Sequence, residues 1–289
     1  MEIEQLFKYA GIIAAIIFAI PWIIGHLLVF STALYLQYYH NSRLQPGEKT
    51  KFEFWQDARR KVANFWLGFA RAWYNYEIVG LENLPKEPSL LIAFHGAMPV
   101  DGYFFMHSVF LKTQRQLSAV TDRFIEKFPA FRYYSECFQM SAANLEQCIQ
   151  IIKRGETLFI LPGGAYEGHM SQNYELKWRN RVGFAKVAIA AKVKIVPIFT
   201  TNIQEAYRTI GIFMGFWEWF YEKTRLPLVP MYGGFPVKLT TYVGKPIVIE
   251  DGMTPEEVKK TVMDEIEMMI RMHQTKPGSI LMAIKDRFF

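Results

Sequence analysis

Cysteine is the scarcest chemistry-bearing residue in this chain, with two in 289 residues, Cys137 and Cys148. Two thiols cannot make a disulfide framework, and their spacing matches no zinc site. Both are expected to be reduced and buried, which suits a domain facing the cytosol. Histidine is nearly as sparse: six residues, with no clustered His or Cys ligands, so no metal is expected. The chain lacks a Gly-rich dinucleotide turn, a phosphate-binding P-loop, a G-x-S-x-G elbow and an H-E-x-x-H pair. It has no internal repeat and no low-complexity tract. The net charge is +6, but the basic residues are scattered and no zinc-finger, basic-zipper or RNA-recognition signature gathers them. A membrane surface or a phosphate-bearing substrate fits that charge better than nucleic acid does.

Apolar surface is abundant, with 51% hydrophobic and 16% aromatic residues, which excludes a disordered chain. Charge vanishes between Tyr9 and Tyr39, where 31 positions hold no Asp, Glu, Lys or Arg. As a helix this run measures roughly 46 Å, longer than a bilayer core of ~30 Å but too short for two full spans. Two geometries are expected. One is a single tilted helix kinked near Pro21, with Trp22 and His26 buried against protein. The other is a helical hairpin turning around Pro21 to Gly25. No cleaved leader is expected, because Glu2 and Glu4 oppose Lys8 and the apolar run is too long. Arg43, Lys49, Lys51, Arg59, Arg60 and Lys61 follow the run against only Glu48, Glu53 and Asp57, which predicts that the body faces the cytosol.

The polar stretch 41–51 marks a boundary, giving a membrane anchor over 1–45 and a second domain over 46–289. That domain opens with an amphipathic helix carrying Trp55, Ala58, Val62, Phe65, Phe69 and Trp73 at helical spacing, suited to the core or to a membrane interface. Strand-like runs follow at Tyr76–Val79, Leu90–Phe94, Leu117–Thr121, Leu158–Leu161, Ile195–Phe199 and Val237–Val243. Helical stretches fill the gaps at Asn144–Arg154, Arg181–Lys192 and Pro255–His273, the last behind a Thr254 to Glu257 capping box. Alternation of this kind predicts an α/β fold with a largely parallel central sheet flanked by helices. The aromatic stretch Ile210–Tyr221 reads as an interfacial element or as core. The stripe Met263, Met268, Met269 and Met272 reads as core.

Two segments carry chemistry. Leu90-Leu-Ile-Ala-Phe-His95-Gly-Ala-Met-Pro-Val-Asp101 ends a strand on His95 and bends before Asp101, at the edge where α/β sheets place their sites. A histidine there can take a proton from an alcohol, and a carboxylate within reach can orient it. Ile160-Leu-Pro-Gly163-Gly164-Ala-Tyr-Glu167-Gly168 also follows a strand. Its two glycines let backbone N–H groups approach a developing oxyanion. From the pattern alone, a histidine at a turn and a plain tight turn remain alternatives.

Together these motifs resemble the membrane-bound glycerolipid acyltransferases, whose first block is a His followed shortly by Asp. Tyr76–Pro85 (YEIVGLENLP) resembles the stretch ahead of that block. Pro162–Glu167 (PGGAYE) is similar to the diacylglycerol acyltransferase type 2 branch rather than to the Phe-Pro-Glu-Gly block of lysophosphatidic acid acyltransferases. Arg181–Lys186, Ile195–Phe199 through Glu205-Ala-Tyr207, and Tyr242–Ile247 continue the resemblance. The His-Gly-Ala-x-Pro-x-Asp spelling and Met231–Leu239 resemble the group typified by transmembrane protein 68. The chain departs from the wider family in having five residues, not four, between His95 and Asp101. It also has no recognisable Arg-containing second block, Phe138–Asn144 standing in its place.

The resemblance implies an acyltransferase domain moving an acyl group from acyl-CoA, a co-substrate rather than a resident cofactor, to a lipid hydroxyl. The missing arginine block and the glycine after Pro162 favour a neutral acceptor, diacylglycerol, over a phosphorylated one. In that scheme His95 is the general base and Asp101 orients it. Gly163 and Gly164 serve the oxyanion, and Glu167 holds the loop or an arginine. Arg123, Arg179 and Arg181 are candidates for the CoA phosphates. The expected setting is the bilayer of the endoplasmic reticulum, with the site on the cytosolic side. A lysophospholipid acyltransferase with the same His95 chemistry, and a non-catalytic lipid-binding membrane protein, are the alternatives.

Overall fold

A computed structural model describes residues 2–43, 51–123, 129–225 and 228–288. The chain begins with α1 (Glu2–Ser42), one continuous helix of 41 residues. The hairpin expected at Pro21 to Gly25 is therefore not formed; the missing proline N–H leaves one rung of the helix unmade without turning the chain. The side chains of Pro21, Trp22 and His26 lie outside the described residues. Among the described residues no helix is long and apolar enough to cross a membrane, and positions 14, 17, 18, 20–22 and 26 of the apolar run contribute no described side chain. Leu6, Phe7, Ile12, Ile13 and Ile16 are exposed, whereas Leu28, Ala33, Leu36 and Tyr39 are buried in the common core. Trp66 Nε1 donates to Thr32 Oγ1 at 2.8 Å and Tyr39 Oη to the Phe54 carbonyl at 3.1 Å, fastening this end of α1.

Helix α2 (Lys51–Tyr74) turns Trp55, Ala58, Val62, Trp66 and Ala70 into the core, while Phe65 and Trp73 stay exposed on its flank. The elements that follow are β1 (Glu77–Val79), β2 (Leu90–Ala93), α3 (Val100–Thr113), β3 (Leu117–Val120), α4 (Pro129–Phe138) and β4 (Met140–Ser141). Next come α5 (Leu145–Lys153), β5 (Thr157–Ile160), α6 (Gly164–Met170), α7 (Gly183–Ala191), β6 (Ile195–Thr200), α8 (Ile203–Ala206) and β7 (Tyr207–Thr209). The chain closes with α9 (Met214–Thr224), β8 (Met231–Gly233), β9 (Thr240–Val243), α10 (Pro255–His273) and α11 (Ile280–Lys285).

Seven strands form one sheet in the order β1-β9-β6-β2-β5-β3-β4, parallel except where β6 meets β9; β7 and β8 pair separately. Every residue of β2 and β6 is buried, as expected of parallel strands covered on both faces. Pairing of Ile92 with Ile160 and of Ala93 with Ile198 brings the carboxyl ends of β2, β5 and β6 to one edge. Both Asn144 with Gln147 and Thr254 with Glu257 close capping boxes, which fixes the starts of α5 and α10.

Several expectations are corrected by tertiary contacts. The strand expected from Val237 begins only at Thr240, because the Lys238 and Leu239 N–H groups donate to Ala283 and Tyr74 carbonyls instead of to a strand. Of the methionine stripe, Met269 is buried but Met268 and Met272 are exposed. The aromatic stretch is surface: Ile212, Phe213, Phe216 and Trp219 are exposed, and α9 buries only Tyr221. Cys137 and Cys148 are free and buried.

Candidate active site

The loops leaving β2 and β5 meet at the carboxyl edge of the sheet. Glu167, fully buried on α6, accepts from the His95 backbone N–H through Oε2 at 2.9 Å and from the Lys177 N–H through Oε1 at 3.0 Å. One side chain thereby ties three segments together: the β2–α3 loop, α6 and the loop ahead of α7. Burial pushes its carboxyl up to about 8, against the lowering pull of those two N–H groups.

Half-buried His95 places its ring nitrogen Nδ1 2.7 Å from the carbonyl oxygen of Gly96. A carbonyl only accepts, so Nδ1 carries the proton and Nε2 keeps its lone pair. Burial pushes the imidazole down to about 4, with His169 and Arg181 adding to the effect and the Gly96 hydrogen bond opposing it. The ring is thus a neutral base at physiological pH.

Glycines make this approach possible. A Cβ on Gly168 would lie 2.6 Å from His95 Nδ1 and 2.6 Å from the Gly96 oxygen, and one on Gly163 would overlap the Glu167 side chain. Gly164 adopts φ +51°, and a Cβ there would stand 2.8 Å from Arg181 Nη1, which donates to the Pro162 carbonyl at 2.8 Å. The two expected oxyanion donors part company here. The Gly164 N–H is taken by the Leu161 carbonyl at 3.0 Å, whereas the Gly163 N–H has no acceptor among the described residues.

His95, Gly163, Gly164, Glu167 and Arg181 therefore converge; the other expected residues do not. No hydrogen bond or ion pair joins Asp101 to His95. Pro99 precedes α3 with φ −81° and ψ 50°, so Asp101 enters the first helical turn and turns inward. There it is buried, its Oδ1 without a hydrogen-bond partner among the described residues; the nearby Thr200 hydroxyl and the main-chain N–H groups of Asp101 and Gly102 favour its charged form, but burial outweighs them and pushes it up to about 6. The expected dyad is thus open, and the Gly96 carbonyl does the orienting. Arg179 pairs with Glu218 at 3.3 Å and Glu222 at 2.8 Å and stacks over Tyr166 at 3.6 Å, tying α9 to α6 with its charge already matched. Arg123 is exposed beyond β3, beside residues 124–128, which lie outside the described ones. The sequence motifs gave Gly96 only the bend after His95, and gave Gly168 and His169 no role. The available signal was adjacency, a glycine directly following each of His95 and Glu167.

The acyltransferase family model matches residues 75–201. The chain is similar to the Bos taurus protein named "DGAT1/2-independent enzyme synthesizing storage lipids", 41% identical over 263 residues, covering 90% of this chain and 78% of that one. Its Homo sapiens counterpart is 40% identical over 263 residues, covering 90% and 81%. More distant is 2-acylglycerol O-acyltransferase 1 of Mus musculus, 26% identical over 177 residues, covering 52% and 53%. Among solved structures, the 1-acyl-sn-glycerophosphate (LPA) acyltransferase of Thermotoga maritima superposes with a TM-score of 0.55 at 16% identity, covering 92% of this chain and 98% of that one. At that identity the likeness is one of fold.

Proposed function

The chain belongs to the acyltransferase family, and from that premise we propose that it moves a fatty acyl group from acyl-CoA to the hydroxyl of diacylglycerol, giving triacylglycerol. The carrying observation is the 2.7 Å contact between His95 Nδ1 and the Gly96 carbonyl, which leaves Nε2 as a bare, neutral base. Nε2 takes the hydroxyl proton as the acceptor oxygen attacks the thioester carbonyl. The tetrahedral oxyanion receives the Gly163 N–H, a donor of the kind worth about 3 kcal/mol. Collapse breaks the C–S bond, and the departing CoA thiolate recovers the proton from the imidazolium. Of the three arginines, Arg181 lies beside the His95–Glu167 pair, and we assign the donor phosphates to it.

A neutral acceptor is supported by the name of the similar mammalian proteins, enzymes synthesizing storage lipids. The exposed apolar residues of α1 and of 212–219 support residence at a membrane, which we assign to the endoplasmic reticulum with the site facing the cytosol. The test offers labelled acyl-CoA to membranes carrying wild type or His95→Ala, with diacylglycerol and lysophosphatidic acid in competition. Labelled triacylglycerol is expected, falling by roughly 10²- to 10⁴-fold in the variant. Label in phosphatidic acid would make the chain a lysophospholipid acyltransferase. Label in neither would leave a lipid-binding protein.

A further inference from the structure

A cleft of about 230 Å³ lies against Gly168, lined also by Ala97, Gln172, Gln204, Arg208 and Tyr232 among others. A Cβ on Gly168 would stand 2.6 Å from His95 Nδ1, so a single glycine separates the cleft from the imidazole. Arg208 is the one charged side chain among the described residues lining it.

That charge is fixed and already balanced. Arg208 Nη2 donates to Glu205 Oε1 at 3.0 Å and to the Gly278 carbonyl at 2.6 Å. Glu205 is 1% exposed, accepts from the Tyr174 hydroxyl, and has Gln274 Nε2 at 3.5 Å. Gly278 packs so closely that a Cβ on it would overlap Glu205 Oε1, leaving the carboxylate no room to swing away. The cleft thus presents guanidinium and amide donors with no net charge. An ester carbonyl or hydroxyl gains hydrogen bonds there at no electrostatic cost. A phosphomonoester would compete with a buried carboxylate for a cation already engaged and would be repelled by it.

We propose that the Arg208–Glu205 pair makes this cleft select the uncharged glyceryl end of the acceptor and reject a phosphorylated one. This rests on the acyl-transfer reading and names its specificity element. The volume suits the polar glycerol portion, with the acyl chains remaining outside.

The test is the ratio of kcat/KM for lysophosphatidic acid to that for diacylglycerol, read in membranes. Where lysophosphatidic acid is not turned over, its inhibition of diacylglycerol acylation is read instead. Glu205→Gln keeps the side-chain shape and leaves Arg208 unmatched, and should move the ratio about tenfold towards the anionic acceptor. Arg208→Gln leaves the carboxylate unmatched and should move it the other way. The double variant should return close to wild type. Active single variants whose ratios stay within about twofold of wild type would overturn the proposal; if Glu205→Gln fails to fold, Arg208→Gln alone decides it on the same readout. Loss of diacylglycerol transfer by wild type itself would instead overturn the reading beneath it.

Discussion

His95 and Asp101 flank one proline, the histidine in the loop after β2 and the aspartate in the first turn of α3, and the fold treats them in opposite ways. His95 is held through main chain: its N–H by Glu167, its ring by the Gly96 carbonyl. Asp101 is buried in the first turn of α3, its Oδ1 unpartnered among the described residues, near Thr200, whose Oγ1 lies 2.9 Å from Thr241 Oγ1, itself 2.9 Å from Tyr76 Oη. Burial drives the base down to about 4 and the acid up to about 6, so each is pushed towards its neutral form. Tautomer control by a backbone carbonyl transfers the sensitivity of the site from a carboxylate to the glycines that let the carbonyl and ring close up.

The strongest way to break this comparison is therefore Gly168→Ala. The added methyl would lie 2.6 Å from both partners of the His95–Gly96 hydrogen bond and must separate them. Displacement of a catalytic group by an ångström is enough for about a 10²-fold loss, which is the fall expected in kcat/KM. The Gly96 oxygen is main chain and cannot step aside cheaply, so stability should fall too, by about 1–3 kcal/mol, and activity is compared where the variant is still folded. The acid limb of the pH profile, near 4 in wild type, should move up as the imidazole regains solvent. Activity above half of wild type would show that the carbonyl does not hold the ring.

Much of the fold was legible because parallel strands buried on both faces must be unbroken apolar runs, and β2, β5 and β6 read that way. The capping box of α10 was legible for a local reason, since Thr254 and Glu257 sit within four residues; the box of α5 has the same spacing but was found only in the structure. His95, Gly163 and Gly164 were legible as polar or glycine residues close after such runs, and Glu167 as the acid a helical turn later. What was not legible depends on distant partners. Asp101 faces Thr200, Arg179 faces Glu218 and Glu222, and Arg208 reaches the Gly278 carbonyl. The apolar run of α1 is uniform in sequence, so nothing local separates its exposed beginning from the later stretch whose Leu28, Ala33, Leu36 and Tyr39 the core claims. Pro21 left a single helix and a hairpin turn both open, and helical residues on both sides carried the single helix through.

Glu167→Gln probes the residue that joins the two loops, with a smaller effect. Glutamine has one acceptor oxygen where the carboxyl has two, so either His95 N–H or Lys177 N–H loses its partner. An unsatisfied buried donor costs about 1–3 kcal/mol, and a tenfold or greater fall in kcat/KM is expected. The pH dependence of stability gives an independent reading. Between roughly 4.5 and 8 the folded carboxyl holds a proton that the unfolded chain has released, so this group makes stability fall as pH rises. The variant lacks that slope, and its Tm relative to wild type should improve steadily from pH 5 to pH 8. A constant difference would mean that Glu167 is ionised throughout.

Asp101→Asn should have the smallest effect on catalysis, and that is what sharpens the contrast. In a closed dyad the amide would favour the wrong tautomer of the histidine and cost about 10⁴-fold. Here Nδ1 already has the Gly96 carbonyl as its acceptor, so the loss in kcat/KM should stay within about threefold. Stability carries the signature of the buried acid instead. Between roughly 4 and 6 the folded Asp101 is protonated while the unfolded one is not, so ionising it on the way to neutral pH destabilises the fold. Asparagine is spared that penalty, and its Tm should gain on wild type between pH 4 and pH 7. If turnover efficiency instead fell by about 10²-fold or more, with no such gain in Tm, the loop would have to rearrange during turnover to bring the carboxylate onto His95.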